Sequence, residues 1–135
     1  MMWEVFRRFR IVRVRVRRRG RSLRGHSKHY KKNKETAREV VVQKIIHFNQ
    51  YYGFKYGRVA IRNQRSRWGS CSKKGNLNFH YKIAFMPEKF LDYVVVHELC
   101  HLKEFNHSKN FWALVKESLP NYLDIKKEFR KYQLS

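Results

Sequence analysis

Five consecutive residues, His97-Glu98-Leu99-Cys100-His101, constrain the fold of this chain more than any other feature. They lie in a stretch where Phe90, Leu91, Val94, Val95, Leu99 and Leu102 recur at the spacing of one helical face. That spacing predicts a helix beginning near Pro87, which suits a first turn, and running to about Glu104, with Asn106 as an acceptable end. Residues four apart on a helix stack on one face, so His97 and His101 can each offer a ring nitrogen to one tetrahedral Zn²⁺ about 2 Å away. Glu98 points to the side of that face, where its carboxylate can take a proton from an activated water without becoming a ligand. A catalytic zinc requires a third protein ligand, and His107 follows His101 by six residues, just past the expected helix end. Coincidence in a histidine-rich chain is the competing reading; motif, helical context and a third histidine together weigh against it.

The rest of the chain supplies the elements to hold such a helix. Val12, Val14 and Val16 alternate with Arg13, Arg15 and Arg17, a period of two that predicts a strand with one cationic face. Arg18 to Ser27, with Gly20 and Gly25, reads as a turn or loose linker, and divides an arginine-rich segment, 1–27, from a domain over 28–135. From about Tyr30 to Tyr52 the period becomes helical through Ala37, Val41, Ile45 and Phe48, with Gly53 as the stop. Arg58 to Asn63 is a short strand, Gln64 to Lys74 must bend, and Gly75 to Phe85 is a longer strand placing Leu77, Phe79, Tyr81, Ile83 and Phe85 on one face. Asn76 to Phe85 is the expected edge strand for an extended peptide. Ser108 caps a following helix whose Phe111, Trp112, Leu114, Val115 and Leu119 face the core, and Pro120 closes it. Asp92 suits an ion pair, and Trp112 suits the core. The fold class is therefore α+β, a small twisted sheet with helices packed mainly on one side.

Charge sets the function classes. Lysine and arginine number 32 against 10 acids, a net charge of +22 that makes polyanions plausible partners. The excess is concentrated at the front, where residues 1–34 carry 14 Lys/Arg and one Glu. Interleaved Trp3, Phe6 and Phe9 could stack on bases, so nonspecific nucleic-acid binding through the N-terminal arginines is expected. Cys71 and Cys100 are too few for a disulfide framework and read as buried free thiols in a reducing compartment. No stretch is apolar enough for a membrane span and no secretory leader is apparent, so the expected location is cytoplasmic.

Four blocks in order carry a resemblance to a known family: Ile61-Arg62-Asn63-Gln64-Arg65-Ser66-Arg67-Trp68-Gly69-Ser70-Cys71-Ser72, then Gly75-Asn76-Leu77-Asn78-Phe79, then Leu91 to Leu99 with the His-Glu pair, then His107-Ser108 with Phe111-Trp112. Over residues 30–135 the chain resembles the YgjP-like and SprT-like zinc metallopeptidases of the zincin type. The resemblance implies a zincin-like fold, His97, His101 and His107 as zinc ligands, Glu98 as general base, and a protein or peptide substrate. It also makes the Arg67-Trp68 block a wall of the site and hence a substrate-binding candidate. His80, on the strand before the metal helix, is a third such candidate, and Arg67, His80 and Tyr122 are candidates to stabilise an oxyanion. The spacing His-x5-His also occurs in metzincins, but those carry Gly where this chain has Glu104. Two other readings compete: a nucleotide pyrophosphohydrolase of the UTP type, a label some members of the family carry, and a nucleic-acid-binding module with a structural metal. Glu98 argues against the last, since a structural site has no use for a base.

Overall fold

The structure, a computed structural model, describes residues 23–63 and 67–134. The strand expected around Val12 to Val16 and most of the arginine-rich front lie outside the described residues.

The first helix, α1 (Leu23–Asn49), carries Ala37, Val41, Ile45 and Phe48 on its buried face, as their spacing predicts. It begins well before Tyr30, so residues 23–27 are helical and not linker. Gly25 costs a helix interior only about 1 kcal/mol and no proline interrupts the segment. Beyond Asn49 the chain turns through Gly53, whose φ of +66° is left-handed backbone that glycine adopts without strain. Asn49 fixes that exit: its side-chain oxygen accepts from Phe54 N–H and its amide donates to Phe54 C=O, both at 2.9 Å.

Three strands, β1 (Val59–Arg62), β2 (Gly69–Cys71) and β3 (Leu77–His80), form a mixed sheet in the order β1-β3-β2. β1 runs parallel to β3 and β2 antiparallel to it. The strand expected over Gly75 to Phe85 is thus shortened to the four residues Leu77–His80. After His80 the chain winds into a 3-10 turn, Tyr81–Phe85, because the His80 ring accepts the Lys82 N–H at 3.0 Å and caps it. Tyr81 and Ile83 remain buried while Phe85 is exposed. With partners on both sides β3 is the central strand, so it cannot be the peptide-accepting edge; among the described residues the edge strand on the side of the helix that carries His97 is β2.

The second helix, α2 (Glu88–Cys100), is buried almost all round from Tyr93 to Cys100, the mark of a helix at the centre of a fold. It packs against α1 and β2, and Lys44 of α1 bridges Glu88 and Asp92 at 2.5 and 2.8 Å. It stops at Cys100 rather than Glu104, because Leu102 to Glu104 bond back to Leu99 and Cys100 in a tightening turn. Ser108 caps α3 (Lys109–Ser118) by accepting from Phe111 N–H at 3.4 Å. Phe111, Val115 and Leu119 are buried as expected, whereas Leu114 and Trp112 are half-buried. A further helix, α4 (Tyr122–Leu134), was not expected; it buries Ile125 and Phe129, one turn apart, with the Phe129 ring against Phe90 and Tyr93 of α2. No helix among the described residues is long and apolar enough to cross a membrane.

Candidate metal centre

The last turn of α2 and the loop before α3 bring three imidazoles to one point. The Nε2 atoms of His97, His101 and His107 form a triangle with sides of 2.9, 3.1 and 3.2 Å. His97 and His101 are buried and His107 is half-buried. His107 reaches the triangle because the turn after Cys100 reverses the chain and the Ser108 cap fixes where α3 begins.

Hydrogen bonding decides what that triangle accommodates. His101 Nδ1 lies 2.9 Å from the Glu104 carbonyl oxygen, which can only accept, so the ring proton sits on Nδ1 and Nε2 presents a bare lone pair. A metal-bound histidine is oriented in this way, by a backbone carbonyl on its far nitrogen. Burial holds both His97 and His101 below the usual imidazole range, and the neighbouring imidazoles and Lys126 press His97 further down. A neutral His101 ring whose bare Nε2 faces two other imidazole nitrogens suits a cation shared among them. Three nitrogens about 2 Å from one tetrahedral ion would stand about 3.3 Å apart, close to the observed triangle. The donor set therefore fits a metal ion of the zinc class.

An apolar bed holds the rings in place. Phe111, fully buried, lies 4.5 Å from the His101 ring, 4.9 Å from His107 and 5.0 Å from His97, measured between centroids. Trp112 stacks on His107 at 5.7 Å and meets His97 at 6.2 Å. Both aromatics read as core from their helical spacing. Only the order of the blocks, with Phe111-Trp112 directly after His107-Ser108, pointed to the site.

Glu98 is buried beside the triad, and burial pushes its carboxyl up to about 8 against the opposing pull of Arg67. Its Oε2 is buried without a hydrogen-bond partner among the described residues. The side chain lies against β2 at Gly69, where a Cβ would stand 3.0 Å from Glu98 Cγ and 3.2 Å from the Asn78 carbonyl oxygen. The expected site wall at Arg67-Trp68 is thus at the start of the strand that Glu98 touches. Arg67 is exposed and acts on Glu98 electrostatically; Trp68 is half-buried, edge-on to His80, with a buried indole N–H that has no partner among the described residues. His80 closes β3 beside them, its ring spent partly on capping the 3-10 turn. Tyr122 stacks on Trp112, on the other side of the cluster's sequence but in its aromatic bed. Cys71 and Cys100 are buried free thiols whose pKa values burial raises to about 12, so neither is a ready nucleophile.

Comparison with known proteins agrees with this geometry. Residues 6–132 match the family described as YgjP-like, metallopeptidase domain. The chain is similar to a UTP pyrophosphatase of Escherichia coli (strain K12), 30% identical over 91 residues that cover 66% of this chain and 54% of that protein. It spans about half the length of this curated relative. Two solved structures share the fold. The metallopeptidase zymogen of Pyrococcus abyssi abylysin has a TM-score of 0.61 at 24% identity, covering 68% of this chain and 93% of that one. The zymogen of Methanocaldococcus jannaschii jannalysin has a TM-score of 0.56 at 20% identity, covering 71% and 95%. The fold is accordingly zincin-like α+β.

Proposed function

Because the chain belongs to the YgjP-like metallopeptidase family, and with it to the metal-dependent hydrolases, we propose that it is a zinc peptidase in which His97, His101 and His107 hold the ion and Glu98 is the general base. The observation that carries this reading is the convergence of three Nε2 atoms with the His101 proton turned away to the Glu104 carbonyl. Bound there, zinc would supply Lewis-acid polarisation of the scissile carbonyl and a lower pKa for the attacking water. The chain's own residues do the rest. Glu98, buried and poised to gain a proton, takes one from the attacking water and returns it to the leaving amine. Phe111 and Trp112 exclude water from one side of the rings and fix their planes. Arg67, Trp68 and His80, at the ends of β2 and β3, are the proposed substrate contacts, and β2, the edge strand among the described residues, is the one to which an extended peptide would add.

A nucleotide substrate is the second reading, favoured by the similarity to a UTP pyrophosphatase and by the cations Arg67 and Lys126 that bear on Glu98 and His97. The arginine-rich segment ahead of α1 serves in either case as a nonspecific polyanion contact. Casein cleavage and UTP hydrolysis, measured side by side for wild type and Glu98→Gln, test the proposal. The substitution is expected to keep zinc and fold but reduce hydrolysis by roughly a hundredfold or more, as loss of a general base does. Undiminished turnover in Glu98→Gln would remove Glu98 from the mechanism.

A further inference from the structure

We propose that the front of α1 and the 3-10 turn after β3 form a binding surface for single-stranded nucleic acid, in which Phe85 and His29 stack on bases and Lys28, Lys32, Arg62 and Lys82 hold phosphates. This surface requires neither zinc nor Glu98, and it is distinct from the contact assigned to the segment ahead of α1. It begins with an aromatic ring that folding leaves in water. Phe85 ends the 3-10 turn 59% exposed, although Tyr81 and Ile83 of the same turn are buried. The exposed His29 ring of α1 lies beside it, with centroids 5.8 Å apart and planes tilted by 31°. His29 is held from behind: its Nδ1 is 3.0 Å from the hydroxyl of buried Tyr81, and the two rings meet edge-on at 5.4 Å. An imidazole and a phenyl ring are thus fixed at the surface, each with ring area open to a planar partner. Aromatic side chains placed in this way bind unpaired bases, every one of which has a π-face to offer.

Positive charge frames the pair. Helix α1 has no acidic residue in its first turn, and Glu35 is the first acid along it. Lys28 and Lys32, one turn apart and exposed, flank His29 along the helix. Exposed Lys82 comes from the 3-10 turn itself, and exposed Arg62 ends β1 opposite His80 in the sheet register. Glu35 and Glu88, the next acids along α1 and after the turn, are paired with Arg38 and Lys44. Cations around open aromatic rings match a run of phosphates that carries free bases. A duplex hides its base faces in the stack, an acidic peptide has no such face, and a lipid bilayer calls for a broader apolar face than one phenyl ring. The Tyr81 ring also stacks on His80 at 5.0 Å, so this surface adjoins His80 and Trp68, two of the proposed substrate contacts.

The test uses the full chain and fluorescence anisotropy of labelled probes: oligo(dT), an abasic deoxyribose-phosphate strand of the same length, and a duplex. Phe85→Leu keeps an apolar side chain but removes the π-face, and Phe85→Trp supplies one again. Phe85→Leu should weaken oligo(dT) binding roughly tenfold while leaving the abasic strand, the duplex and the salt slope unchanged, and Phe85→Trp should equal or exceed wild type. Replacing Lys28, Lys32 and Lys82 together by Gln should weaken oligo(dT) and the abasic strand alike and lower the salt slope by about 2. The arginine-rich segment is present in every protein compared, so its contribution cancels. Oligo(dT) affinity that is unchanged in Phe85→Leu, or that falls equally for the abasic strand, overturns the proposal. So does a loss confined to vesicles of phosphatidylcholine and phosphatidylglycerol, which would make the surface a membrane contact. Zinc uptake by the wild type bears only on the hydrolase reading, so the two can fail separately.

Discussion

Gly69 shows how closely the site depends on individual side chains. It has no Cβ, and that vacancy is where the Glu98 side chain passes between β2 and the end of α2. Gly69→Ala would put a methyl 3.0 Å from Glu98 Cγ and 3.2 Å from a backbone oxygen of β3, and the backbone has less freedom to give than the carboxylate. The added methyl is expected to cost about 1–2 kcal/mol of stability, as overpacking does, and to lower hydrolysis with zinc content unchanged. Chemical denaturation, metal analysis and an activity assay on one preparation measure all three; full activity would show that Glu98 does not need its observed place. The closeness of His97 and His101 was readable from spacing because a helix places i and i+4 on one face, and that of His107 from a turn expected past the helix end. The role of Gly69 was not, since a close approach between a strand and a helix far along the chain leaves no local pattern. For Phe111 and Trp112 the helical period said core, and the structure adds that this part of the core is the bed of the three histidine rings.

Among the elements, what the sequence made legible follows the length and regularity of each apolar pattern. The faces of α1 and α2 emerged correctly because Ala37, Val41, Ile45 and Phe48, and Phe90 to Leu99, repeat over several turns. Their ends were less legible. Gly20 and Gly25 suggested a linker, yet the helix already runs from Leu23, and the last turn of α2 gave way to the bend that delivers His107. β2 has three residues, too few for a period, and α4 shows its apolar side chiefly as Ile125 and Phe129 among charges. The alternation from Leu77 to Phe85 predicted one strand. Burial does alternate through Ile83, but the His80 cap turns the second half into a 3-10 turn with the same inward residues. Extended and 3-10 segments of this length are hard to separate by burial alone. The site's edge strand was misplaced for the same reason.

For the molecule as a whole, the densest run of positive charge lies ahead of the proposed catalytic residues in the chain. All proposed ligands lie between His97 and His107, while 14 of the 32 lysines and arginines fall in residues 1–34. Replacing Arg13, Arg15, Arg17, Arg18 and Arg19 by Gln should therefore leave zinc content intact and flatten the salt dependence of DNA binding. Each phosphate neutralised contributes to that slope through released counterions. Fluorescence anisotropy with a short labelled oligonucleotide at several salt concentrations reads it; equal slopes for variant and wild type would move any binding to Arg58, Arg62 and their neighbours. The central claim is the metal itself. Anomalous diffraction at the zinc edge from wild-type crystals, grown without chelator, should place one peak about 2 Å from the Nε2 atoms of His97, His101 and His107. Its absence, or a peak bound elsewhere, would contradict the account.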